Sequence, residues 1–160
     1  MQEEETDLDE LYRIVGYTVI TWAMIEADLD KSIAVIHHCC GGKTISAALP
    51  RTLKGKIRYM RKALRQLSLL APVKERGLDL MQQISDKKQQ RHDLVHSVLT
   101  SAQASGGKFK FANLYAGQAM HQIREIEFDV SHFPEFSKEI QDLETDMIAF
   151  AQKLAEDYTE

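Results

Sequence analysis

Residues 126–140 read Ile126-Glu127-Phe128-Asp129-Val130-Ser131-His132-Phe133-Pro134-Glu135-Phe136-Ser137-Lys138-Glu139-Ile140, and their hydrophobic period changes partway along. Ile126, Phe128 and Val130 alternate with Glu127 and Asp129, the pattern of a half-buried strand. From a start near Ser131 to Pro134, the residues Phe136, Ile140, Leu143, Met147, Phe150 and Leu154 recur at alternating steps of four and three. That is the apolar stripe of an amphipathic helix. A strand segment therefore leads directly into a long helix.

Toward the N-terminus the strand pattern continues. Phe109 and Phe111 alternate with Lys108 and Lys110, and Val98 to Ala102 reads as a further strand. Ser105-Gly106-Gly107 is a turn signal, whereas the stretch around Gly117 shows no clear period. A small antiparallel sheet of two or three strands is expected over about 98–130.

Before the sheet the period is helical. A third helix is expected from about Val73 into the low nineties, with Leu78, Met81, Ile84, then Lys88 and Arg91, then Val95 on its stripe. A second runs from about Leu53 to Leu70, with Ile57, Met60, Leu64 and Leu67 on one face, and Pro72 breaks it. The first carries Leu8, Leu11, Val15, Thr18, Trp22, Ile25, Leu29, Ser32 and Ile36. Asp7 or Asp9 is positioned to cap it and Gly41-Gly42 to end it. Residues 43–52 form a loop containing Pro50. The expectation is a mainly α, four-helix bundle with a small antiparallel β insertion between the third and last long helices. One domain, 1–160, accounts for the length. Helices one and four carry enough large apolar side chains to serve a dimer seam as well.

Composition narrows the setting. Apolar residues are 44% of the 160, enough to fill a core. The longest apolar-looking stretch, Val15 to Ile25, contains Gly16, Thr18 and Thr21 and is too short to span a membrane. The beginning Met1-Gln2-Glu3-Glu4-Glu5 is acidic where a signal peptide is basic. Cys39 and Cys40 are adjacent and form no disulfide framework, so a reducing, cytoplasmic location is expected. Net charge is −4, against a generic nucleic-acid coat. The charge is nevertheless uneven. From Lys31 to Lys74 there is no Asp or Glu, and ten of the twenty basic residues lie there. That segment reads either as a solvated helix face or as a surface that follows phosphates. Lys54, Arg58, Arg61 and Arg65 are its RNA-binding candidates.

One short motif bears on chemistry: Arg91-His92-Asp93-Leu94-Val95-His96. Arg91 falls on the apolar stripe one heptad after Ile84, and an inward guanidinium needs a partner or a phosphate. Two readings stay open. Glu26 interrupts the stripe of the first helix between Trp22 and Leu29, so a buried Arg91–Glu26 pair would hold two helices in register. Alternatively, an always-charged arginine clamps a phosphate while a histidine moves a proton. Five helical residues turn about 140°, so Arg91 and His96 share a face only if the helix ends between them or two copies meet.

The Arg-x4-His spacing, with a polar residue right after the arginine, resembles HEPN domains, helical modules whose ribonuclease members carry Arg-x4-6-His. Trp22-Ala23-Met24-Ile25-Glu26, followed by Leu29, is similar to small bacterial proteins of that type. The likeness covers the helices, about two-thirds of the chain; the insertion between Val98 and Val130 lies outside the minimal pattern. It implies a HEPN-type bundle, a homodimer with facing motifs, and metal-independent endoribonuclease activity in toxin–antitoxin, phage-defence or RNA-processing systems. Arg91 and His96 are then catalytic, and His92 assists. RNA and an antitoxin or other protein are the implied partners, with no membrane, cofactor or metal. Some HEPN members are binding modules, so the alternative is a non-catalytic dimeric helical module that binds a protein, nucleotide or RNA partner.

Other combinations carry less. His37-His38-Cys39-Cys40 points around a whole helix turn and cannot close one tetrahedral site. Gly41-Gly42-Lys43-Thr44 lacks the first glycine of a P-loop and follows a helix instead of a strand. His121 and His132 are isolated, and Phe109 and Phe111 read as the buried face of a strand more than as a base-stacking pair.

Overall fold

A computed structural model of the chain describes residues 2–103, 107–116 and 121–159. Four helices are present: α1 (Gln2–Cys39), α2 (Leu53–Gln66), α3 (Lys74–His96) and α4 (Phe133–Tyr158). Three strands, β1 (Val98–Gln103), β2 (Lys108–Ala116) and β3 (His121–Asp129), lie between α3 and α4. Mainly helical architecture with a small antiparallel sheet is therefore observed. The Ser105–Gly106 part of the expected turn and Gly117 lie outside the described residues.

The chain divides into two compact units. One comprises Thr21–Lys87 and Gln141–Glu160, the other Met1–Ile20 and Lys88–Ile140. Helices α1, α3 and α4 each give one end to each unit.

The first unit is helical. Trp22, Ile25, Leu29, Ile33 and Ile36 of α1 share one core with Ile57, Met60 and Leu64 of α2. Leu80, Met81 and Ile84 of α3 and Leu143, Met147, Phe150 and Leu154 of α4 complete it. The Thr52 hydroxyl caps α2 by accepting from Gly55 N at 3.1 Å. α2 stops at Gln66, earlier than expected. Leu67 turns extended (φ −90°, ψ 110°), and a 3-10 segment, Ser68–Val73, carries Leu70 and Val73 into the core. Pro72 lies inside that segment and does not end the helix itself. Tyr158 Oη closes the corner by donating to the Leu69 carbonyl at 2.8 Å.

The end of α1 is a crowded turn. Gly41 takes φ 84°, which an L side chain resists. Gly42 packs under Tyr59. Tyr59 Oη lies 3.3 Å from Nδ1 of the buried His37, in place to donate to the neutral ring. Burial holds the His37 imidazole below its usual range, and His38 and Lys43 act in the same direction. Burial pushes the Tyr59 phenol and the Cys40 thiol up. A depressed imidazole means that the unfolded chain takes the proton first. Stability is then full above the ordinary histidine value, about 6.5, and declines as pH falls below it. Urea midpoints at pH 7.5 and 5.5 are expected to differ less in His37→Gln than in the wild type; equal differences would remove His37 from the acid response.

The second unit joins the sheet to helix ends. The strand order is β1-β2-β3, antiparallel throughout, with a register shift between Leu99 and Ser101. Phe109 pairs with Phe128 and Phe111 with Ile126. Phe109 and Phe111 are buried and Lys108 and Lys110 exposed, as the alternation requires. The core adds Leu11 and Ile14 of α1, Leu94 of α3, and Phe133, Phe136 and Ile140 of α4. Val130, expected at the end of a strand, lies instead in a 3-10 turn, Val130–His132. Asp129 caps that turn by accepting from Ser131 N at 2.9 Å; the Ser131 hydroxyl first and that backbone N–H second hold its carboxyl below the usual range.

α1 begins at Gln2, so Asp7 and Asp9 lie inside it and neither is its cap. No described helix is long and apolar enough to cross a membrane. Of the two helices expected to have apolar residues to spare, α1 leaves Tyr12, Val19, Ile20 and Met24 exposed. Among the described residues, none of the exposed large apolar side chains belongs to α4.

Candidate functional site at the end of α3

α3 runs unbroken through His96, its last residue. The two motif residues meet nonetheless. Arg91 Nη1 lies 3.0 Å from His96 Nε2 within one chain. Neither a helix break between them nor a second copy is needed, because the arginine stem is long enough to cross the 140° that separates their Cα atoms. Guanidinium nitrogens only donate, so Nε2 is the acceptor and the His96 ring is neutral in this contact. The His92 ring packs beside it, with centroids 5.0 Å apart, as positions i and i+4 allow. His92 and His96 are exposed and Arg91 is half-buried. Arg91 Nε is buried without a hydrogen-bond partner, as are Ser97 Oγ and Asn113 Nδ2. The cluster thus contains an exposed lone-pair nitrogen, a permanent cation against it, and a second imidazole.

Asp93 holds this helix end in place. Its carboxylate is buried, accepting from Gln89 Nε2 at 2.7 Å and from Arg124 Nη2 of β3 at 3.0 Å. Arg124 stands opposite Asn113 of β2, so the sheet is tied to the turn that carries the histidines. Asp93 lies off the Ile84–Arg91 stripe that the sequence marks as the inner face of α3. After Ile84 the buried positions of α3 are Asp93 and Leu94, while Lys88, Arg91 and Val95 are only partly covered. The available signal was Gln89-x3-Asp93, a side-chain pair at helical spacing.

No family model matches this chain, and no curated protein or solved structure matches it either.

The remaining candidates belong to the helical unit. Glu26 accepts from Trp22 Nε1 at 2.8 Å and lies 3.9 Å from the Lys56 ammonium, which also reaches Asp30 at 2.8 Å. Glu26 and Arg91, offered by the sequence as one possible pair, each have another partner. Lys54, Arg58 and Arg65 are exposed on α2. Arg61 is half-buried and spends its guanidinium on Gln82 Oε1 at 2.8 Å and the Met81 carbonyl at 3.4 Å. It ties α2 to α3. In the His37–Cys40 run, His37 and Cys40 are buried while His38 and Cys39 are exposed, so the four side chains do not share one face.

Proposed function

We propose that the chain is a HEPN-like, metal-independent endoribonuclease of the cytoplasm, working as a homodimer in a toxin, phage-defence or RNA-processing role. The observation that carries this reading is the 3.0 Å contact between Arg91 Nη1 and His96 Nε2. His96 Nε2 takes the proton of a ribose 2′-hydroxyl, and the 2′-oxygen attacks the adjacent phosphorus. The bond from phosphorus to the 5′-oxygen breaks. Arg91 turns from His96 to the phosphate and stabilises the charge that builds on its oxygens. The leaving 5′-oxygen takes a proton from His92 in its imidazolium form, which ends neutral while His96 ends carrying the 2′-hydroxyl proton. The products are a 2′,3′-cyclic phosphate and a 5′-hydroxyl end.

The rival is a non-catalytic dimeric module that binds a protein, nucleotide or RNA partner. One observation favours it: Arg91 Nη1 already occupies His96 Nε2 at 3.0 Å, the atom that the cleavage reading needs as a base. End-labelled mixed RNA in excess EDTA separates the two. Fragments bearing cyclic phosphate ends are the expected result. Intact RNA, or cleavage that appears only with added magnesium, would overturn the proposal in favour of the rival or of another chemistry.

A further inference from the structure

The exposed residues of α2 are Lys54, Arg58, Lys62, Arg65 and Gln66. Four of these five are cations. At about 100° per residue the four fall within an arc of about 80°. The helix carries no acid, and neither does the chain from Lys31 to Lys74. The cations of α2 divide into two kinds. Lys56 and Arg61 are wholly or partly buried and engaged, Lys56 with Asp30 and Arg61 with Gln82 and a carbonyl. Among the described residues, Lys54, Arg58, Lys62 and Arg65 meet no carboxylate within ion-pair distance. Their charge is left facing solvent.

We propose that this face of α2 is a track for the phosphate backbone of a single-stranded nucleic acid, independent of the Arg91–His96 pair. Successive cations rise along the helix axis by about 4.5–6 Å. The row is straight and about 16.5 Å long, whereas a duplex strand winds through about half a turn over that rise. A single strand can straighten to follow it. A protein partner would call for an apolar centre, and no apolar side chain of α2 is exposed. No aromatic side chain stands in the stripe to stack on a base, Tyr59 being buried, so recognition is of charge and not of sequence. Lys62 thereby joins the surface, and Arg61, which the sequence pointed to, leaves it.

The test uses fluorescence anisotropy with a 2′-O-methyl oligouridine. This probe lacks the 2′-hydroxyl nucleophile, so binding is read whether or not the chain cuts RNA. Four contacts on a single strand give a log–log salt slope of about −3, or roughly 50-fold weaker binding at 200 mM than at 50 mM salt. Arg58→Glu/Lys62→Glu is expected to weaken binding at least about tenfold and to roughly halve the slope. Lys54→Gln/Arg65→Gln, which introduces no repulsion, is expected to halve the slope as well. The anisotropy reads binding alone, which keeps this result separate from the cleavage proposal. Absence of binding by the wild type at 50 mM salt would overturn the inference. So would unchanged slopes in both double variants, tighter binding of the duplex form of the probe, or stripe-dependent preference for polyglutamate over the oligonucleotide.

Discussion

Replacing His96 with alanine is expected to slow RNA cleavage by roughly 10²–10⁴-fold, the usual contribution of a positioned acid–base group. The loss should appear in kcat. Excess EDTA should affect neither protein. Stability should move little, by less than about 1 kcal/mol, because His96 is exposed and its polar contact is to the half-buried Arg91. Arg91 separates charge from geometry. Arg91→Lys keeps the cation but loses the planar fork, so it should retain part of the activity that Arg91→Ala loses. Wild-type rates in a folded His96→Ala protein would remove the motif from the chemistry. Equal rates in the lysine and alanine variants of Arg91 would reduce its role to filling space.

The second large effect concerns glycine. Gly42→Ala is expected to destabilise the chain by about 3 kcal/mol, at the upper end for overpacking. A Cβ there would overlap Tyr59 Oη and stand 2.7 Å from both the His37 Cα and the Ile36 carbonyl oxygen. Two of those neighbours are backbone and cannot swing aside. In a chain of this size the melting temperature should fall by about 6–12 °C. Gly16→Ala is the matched contrast. Gly16 lies inside α1, and nothing stands within 4 Å of the Cβ it would gain. Alanine there should stabilise by about 0.5–1 kcal/mol through helix propensity. If Gly42→Ala melts with the wild type, the close packing of Tyr59 over the α1 turn is wrong.

Where local period alone decides burial, the sequence was a good guide. All six stripe residues of α4 are buried, and Phe109 and Phe111 point inward as alternation demands. Features set by distant contacts were not legible. The end of α2 depends on Leu67 turning extended so that Leu70 reaches a core built by other helices. Continuing the α3 stripe past Ile84 assumed one core, whereas Leu80, Met81 and Ile84 belong to one cluster and Leu94 to another. At the site, angular arithmetic placed Cα atoms correctly but underestimated how far a guanidinium reaches. Asp93 was hidden because its partner, Arg124, lies 31 residues away.

The division of the two cores sets a timetable for folding. The helical core needs Leu143 to Leu154, and the core beneath the sheet needs Phe133 to Ile140, all from α4. On the ribosome, neither core can be completed until that helix has left the exit tunnel. Trp22 and Leu29 await neighbours made more than a hundred residues later. Such long sequence separations slow the final collapse and prolong the exposure of nascent apolar surface. A chain halted before α4 is therefore a natural client for holding chaperones.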